Sequence, residues 1–174
     1  MSDRELDAAG ISKSELRASY SECKRLNSLH GKTYYLATLL LPPAKRPFVH
    51  ALYGFARYAD EIVDDLASTL TPEEKEEELQ KWSAGILHDL AQGVSHDHIG
   101  AALVDTVQRF SIPLEHFHAF LHSMAMDISV TRYENYAALT EYVYGSAAVI
   151  GLEMVPILGP LSDDAYPEIG RAHV

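Results

Sequence analysis

A single cysteine, Cys23, excludes an internal disulfide and is compatible with a reducing compartment. Positive charge is also scarce. Fourteen Lys and Arg stand against 25 Asp and Glu, a formal net charge of −11, which argues against nucleic acid or an anionic membrane surface as a partner. The first residues, MSDRELD, lack the apolar core of a signal peptide. The longest apolar run, residues 147–159, is broken by Glu153 and Pro156 and reads as too short to span a bilayer. Internal repeats, low-complexity linkers and a nucleotide-binding fingerprint are absent from the sequence. What remains is one domain's length of chain, 174 residues, with 47% hydrophobic residues, enough to build a core. The protein is expected to be cytoplasmic.

Residues 53–65, YGFARYADEIVDD, set two acids, Asp60 and Asp64, four residues apart in a run that is otherwise apolar and helix-forming. On a helix that spacing puts both on one face. Phe48, Leu52, Phe55, Ala59, Ile62 and Leu66 recur at steps of four and three, an apolar stripe suited to packing. Tyr53, Arg57, Asp60 and Asp64 form a second stripe one residue along. One residue turns a helix by about 100°, so the polar stripe borders the buried one and is expected to face a shared interior. Neighbouring carboxylates repel, and burial raises the cost of ionising both unless a cation lies between them. Mg2+ takes one or two carboxylates, keeps several waters and completes its shell with phosphate oxygens. Arg57, a turn earlier, offers donors to the same phosphate. A bare Asp-x-x-x-Asp pair suits a solvated acidic face better than a metal site; the Tyr/Arg stripe and the apolar flank draw it toward a cavity.

Three segments in order, HGKTYYLATLLLP at 30–42, VHALYGFARYADEIVD at 49–64 and YVYGSAAVIG at 142–151, resemble the squalene and phytoene synthases, which join two prenyl diphosphates head to head. The resemblance implies an all-α, isoprenoid-synthase-like bundle of helices around a cavity. It makes Asp60 and Asp64 the first aspartate-rich motif, binding Mg2+ (or Mn2+) and through it a diphosphate. It sets Arg57 and Tyr53 beside that diphosphate, with Thr33 as a further ligand, and Tyr142 as a catalytic group against the reacting carbons. Tyr34 and Thr38 would line a product channel. Asp127 resembles an acid that family members carry after a Met-rich turn, with no role assigned. The implied reaction converts geranylgeranyl diphosphate to phytoene through a cyclopropyl intermediate, without nicotinamide, and the lipid substrate would bring the protein to the membrane periphery. Two alternatives stay open: fifteen-carbon substrates giving squalene, dehydrosqualene or the cyclopropyl product, and a non-catalytic helical assembly protein of the same fold.

Elsewhere the sequence punctuates itself. Ser12 or Ser14 could cap a helix that reaches about residue 29 and stops at Gly31, with Lys32 and Thr33 in a joining turn. The prolines at 42, 43 and 47 bracket the start of the central helix, which is expected to run to about residue 66. Thr71, Pro72 and Glu74 form a capping box, opening an acidic surface helix whose buried side carries Trp82, Ile86, Leu87 and Leu90. Residues 93–98 read as a loop, and further helices are expected over about 99–110, 113–130 and 139–158. His116, His118 and His122 lack supporting acids for zinc, and Phe120, Met124 and Met126 read as core. Gly145 and Gly151, with small neighbours, would let another helix or a hydrocarbon approach the backbone closely.

The end of the chain departs from the family, whose second aspartate-rich motif has no match here. Residues 169–174, IGRAHV, correspond to the translation of a widely used sequencing-library adaptor, and Glu168 fits the same reading. Residues 1–167 are therefore expected to be the N-terminal part of one all-α prenyl synthase domain, inactive by itself, with 168–174 a non-native tail.

Overall fold

The computed structural model describes residues 3–64 and 68–171, and the described residues contain helices and turns without strands. Ten α-helices follow in order: α1 Asp3–Ala8, α2 Ser14–His30, α3 Lys32–Thr38, α4 Arg46–Asp64, α5 Pro72–Gln92, α6 Gly100–Phe110, α7 Leu114–Ser129, α8 Tyr136–Val143, α9 Val149–Leu158 and α10 Ala165–Arg171. A π-helical segment, Tyr144–Ala148, joins α8 to α9.

The organising element is α4, which packs against α2, α5, α6, α7 and α9. Its apolar stripe explains this. Phe48, Leu52, Phe55 and Ala59 are buried and Ile62 packs against the core, while Leu66 lies outside the described residues. Phe55 is the hub: its ring lies 5.3 Å from Phe117, 5.2 Å from Phe120 and 5.7 Å from Trp82. Such aromatic pairs add to the burial of their own area, which fixes α5 and α7 against α4. Behind α4, the Tyr20 hydroxyl donates to Asp105 at 2.7 Å and lies 3.0 Å from Thr106, tying α2 to α6.

Several boundaries follow from capping chemistry. Thr71 and Glu74 close the expected capping box, and Gly93 ends α5 in the left-handed region at φ 73°. At α2 neither serine caps: Lys13 holds the capping position without a side-chain bond, and Gly31 closes the helix. The chain then turns at once into α3, a helix where the sequence suggested only a turn. Helix α1 was also not anticipated. It is held by Glu5, buried and bonded to Lys24 at 2.5 Å and to Arg46 at 3.0 Å, contacts far apart in sequence.

The C-terminal helix begins at Tyr136 rather than near residue 139, because Asn135 accepts from the Ala138 amide at 2.9 Å. With α8, the π segment and α9 continuous, Tyr136–Leu158 is 23 residues long and, by length and composition alone, apolar enough to cross a membrane. The expectation that this region is too short is thereby corrected. Here the run packs on α7 and α4 and encloses an acid, Glu153, with a third of its most apolar stretch buried. At Gly145 a Cβ would fall 2.1 Å from Ser123 Oγ and 2.3 Å from the Ala119 carbonyl oxygen, so only glycine admits this approach to α7. The expected tail falls partly on α10, with residues 172–174 outside the described residues.

Candidate active site

The polar stripe of α4 opens into a groove of about 250 Å3 between α4, α7 and the π-to-α9 junction. Helix α4 contributes Tyr53, Ala56, Arg57 and Asp60; α7 contributes Phe120 and Met124; the opposite side adds Ser146 and Ile150. One wall is thus polar and the others mostly apolar. A larger cleft, about 600 Å3, lies between α2 and the 95–98 loop, lined by Glu15, Glu22 and His96. Its lining includes neither Asp60 nor Asp64, and the chemistry favours the smaller groove.

Arg57 Nη1 donates to Asp60 Oδ2 at 2.6 Å across one helical turn, with the two side chains 27% and 42% exposed. Arg57 Nε is buried and has no partner. A guanidinium donor left without a partner in this way costs free energy, which an oxyanion reaching it would recover. Partial burial, the largest effect, pushes the Asp60 carboxyl above the usual carboxylate range; Asp64 and Asp127 add to the rise, and Arg57 opposes it. Asp127 is raised by burial and by Asp64. Asp64 is exposed at the end of α4.

Three acids on α4 and α7 therefore feel one another across the mouth of the groove. Among the described residues no three His, Cys, Asp or Glu side chains converge as a ready metal cage. Hard carboxylate oxygens that repel each other at an open mouth nevertheless fit a divalent cation that keeps waters and takes ligand phosphate oxygens.

Tyr142 stands at the same mouth. Its hydroxyl donates to Asp127, and the Ser146 hydroxyl bonds to the same oxygen; burial first, then Asp127, push Tyr142 up to about 12. Ser123 Oγ donates to the Tyr142 carbonyl at 3.1 Å, and the Tyr133 ring lies 5.3 Å from the Tyr142 ring. Tyr142 is thus a fixed, protonated phenol with one ring face paired. Tyr34, itself exposed, lies 5.7 Å from Tyr53, ring to ring. Beside Tyr34 is Glu153, wholly buried and with neither carboxyl oxygen partnered.

A family model described as squalene/phytoene synthase matches residues 28–172. The chain belongs to the squalene/phytoene synthase family. It is 38% identical over 145 residues to the chloroplastic phytoene synthase of Narcissus pseudonarcissus, covering 83% of this chain and 33% of that one. Against the 15-cis-phytoene synthase of a Synechocystis species it is 35% identical over 142 residues, covering 81% and 41%. The chain therefore spans about a third to two-fifths of the length of these curated relatives. A solved dehydrosqualene synthase with bound ligand superposes with a TM-score of 0.72 at 25% identity, over 82% of this chain and 48% of its own. The squalene synthase HpnC from Alicyclobacillus acidocaldarius superposes with a TM-score of 0.81 at 23% identity, over 95% and 61%, which speaks for the fold alone.

Within the family fold, the structure brings Tyr53, Arg57 and Asp60 onto one groove and leaves Asp64 exposed at its mouth. Thr33 lies exposed in the first turn of α3 and is not among the residues lining the groove. Thr38 is buried and donates to the Tyr34 carbonyl, at 2.8 Å. Phe120 and Met124 are core residues, as read, but they also line the groove. Sequence reasoning left Asp127 without a role and treated Glu153 only as an interruption. The available signal was an acid within an apolar helical run; what it faces could not be read from that.

Proposed function

We propose that this chain carries the diphosphate-ionising groove of an enzyme that condenses two prenyl diphosphates head to head, in the full-length protein geranylgeranyl diphosphate to phytoene. The observation that carries the reading is Arg57. Its Nε is buried and unpartnered, and its side chain lines, with Tyr53 and Asp60, the polar wall of a groove whose other walls are mostly apolar. The 35–38% identity to phytoene synthases favours the twenty-carbon substrate over the fifteen-carbon one.

In this reading Asp60 and Asp64 hold Mg2+, or Mn2+ in its place, at the mouth. Bound there, the ion supplies positive charge to a diphosphate leaving group. Arg57 binds the diphosphate oxygens through its guanidinium and orients the allylic carbon inward, and Tyr53 flanks them. Phe120, Met124 and Ile150 exclude water from the allylic cation once the diphosphate has left, so that the double bond of the second substrate attacks before solvent does. Proton loss closes the cyclopropyl intermediate; its ionisation releases the second diphosphate, and the rearranged cation loses a second proton to give phytoene. Tyr142 presents a ring face to cationic carbon, and Asp127, accepting from its hydroxyl, fixes the orientation of that ring. The enzyme works in the cytoplasm at the membrane surface, where its hydrocarbon product partitions.

The test is conversion of geranylgeranyl diphosphate by the full-length protein, with and without Mg2+, followed by product chromatography. Phytoene formed only with the metal is expected. Absence of any metal-dependent condensation, with twenty- or fifteen-carbon substrate, would sink the reading.

A further inference from the structure

Glu153 is the group in this fold that no step above uses. Its side chain is 0% exposed and both carboxyl oxygens lack a hydrogen-bond partner. A buried acid without a partner is strongly disfavoured in its charged form, and each orphaned oxygen costs free energy that packing must offset. Its place in the helix is informative. Ser146 and Ile150 line the groove, and Glu153 follows Ile150 by three residues, so it continues the same face one turn along α9, where it is buried. There it meets the field of Tyr34, whose ring stacks toward Tyr53, itself a lining residue of the groove.

Resting on the function proposed above, we infer that Glu153 is a specificity-determining residue: the groove accepts an apolar prenyl chain only when this carboxyl carries a proton. An ionised Glu153 would draw water into the packing of α9 against α4 and α7, and that water competes with hydrocarbon for the groove between the same helices. A prenyl chain, in turn, removes what water remains and so favours the protonated form. Chain binding and proton uptake are then one coupled equilibrium.

Other groups around α9 do not supply the same coupling. On α3 the facing group is Tyr34 and on α4 they are Tyr53, Arg57 and Asp60; α7 carries Asp127, the π segment follows Tyr142, and α10 carries Glu168. Lys45 donates to the Leu158 carbonyl at the far end of α9. The tyrosines with resolved shifts are all pushed upward, so they stay neutral through the neutral range. Asp60 and Asp127 belong to the mouth, where a diphosphate without a chain reaches them equally.

Burial raises Glu153 to about 8. The protonated fraction then falls from about nine-tenths at pH 7 to about one-tenth at pH 9, and apparent affinity for the chain falls with it, about tenfold.

The experiment is calorimetric titration of the full-length protein with Mg2+ and a non-hydrolysable geranylgeranyl thiodiphosphate, in two buffers of different ionisation enthalpy, at pH 7, 8 and 9. Inorganic pyrophosphate with Mg2+ serves as the head-group control. Expected are proton uptake at pH 8 that the prenyl ligand shows and pyrophosphate does not, and a tenfold loss of prenyl affinity between pH 7 and 9 beyond that of pyrophosphate. Both should vanish in Glu153→Gln and in Glu153→Met, each of which removes the ionisable group while keeping the volume. If the wild type binds the prenyl ligand without chain-dependent uptake, or if the uptake persists in Glu153→Gln, this inference falls alone. If it binds neither ligand, the proposed function falls and takes this inference with it.

Discussion

Asp60 and Glu153 are two carboxyls on packed helices, α4 and α9, and burial raises both above the ordinary range, yet they are solved differently. Asp60 is 42% exposed, holds Arg57 at 2.6 Å, and shares its field with Asp64 and Asp127. Its cost of ionisation is moderated by water and a guanidinium, so it remains available to a cation. Glu153 is closed to bulk solvent and has no side-chain or backbone partner, and it meets that cost by keeping its proton. The lesson concerns spacing and surroundings. An acid set beside an arginine at a groove mouth is prepared for charge, whereas an acid placed singly in an apolar helix face is prepared for neutrality.

Removing the charge at the mouth should have the largest effect. Asp60→Asn or Asp64→Asn in the full-length protein is expected to lower turnover by at least about a hundredfold, because each deletes a charged ligand without deleting volume. Melting temperature should not fall, and for Asp60→Asn a slight rise would fit its raised carboxyl. Normal turnover in both variants would make the mouth a solvated acidic face and erase the contrast with Glu153.

The next effect is on stability and has the opposite sense. Glu153 is raised in the folded protein from an ordinary value of 4.5 to about 8. Its protonated form is therefore favourable below pH 4.5, and that contribution is lost as pH rises through the folded value. At pH 7 the loss is about 3 kcal/mol, from about 1.4 kcal/mol per unit of pKa. Glu153→Met should stabilise the protein by a comparable amount at pH 8 and by far less at pH 5, read from urea midpoints at both. An advantage independent of pH would mean that Glu153 is partnered and charged in solution.

Arg57→Lys probes the partner of the mouth acid and should be the mildest of the three. Lysine keeps the charge but lacks the planar fork and the Nε donor, so affinity for Mg2+-pyrophosphate should weaken about tenfold, roughly 1.4 kcal/mol. Unchanged pyrophosphate affinity would make Arg57 a partner of Asp60 only.

The periodic stripes of α4, the capping box at Thr71 and the stops at Gly31 and Gly93 were legible because they are local: the residues that cause them lie within a turn or two of one another. The three family segments were legible for the same reason, and with them the fold class and the shared helix face of Tyr53, Arg57, Asp60 and Asp64. Helix α1 was not, because what holds it is Glu5 meeting Lys24 and Arg46, 19 and 41 residues away. The short α3 is not announced locally: a joining turn is expected at Lys32 and Thr33, and seven residues, KTYYLAT, carry too little periodicity to mark a helix. The π segment left no clear mark either, although Gly145, the residue that allows it to lie on α7, was noted as a place of close approach.

By itself, the sequence determined which residues are acidic, aromatic or small and at what spacing, and so which faces of each helix are apolar. It also determined the family, since the matching segments are contiguous stretches of chain. Only the tertiary structure decided which polar groups would share a solvent and which would lose it. Tyr142 reaches Asp127 from another helix, Arg57 Nε is sealed from water, and Glu153 is buried behind Tyr34. The physical reason is that desolvation depends on everything packed around a group, from every part of the chain at once, and no window of sequence contains that neighbourhood.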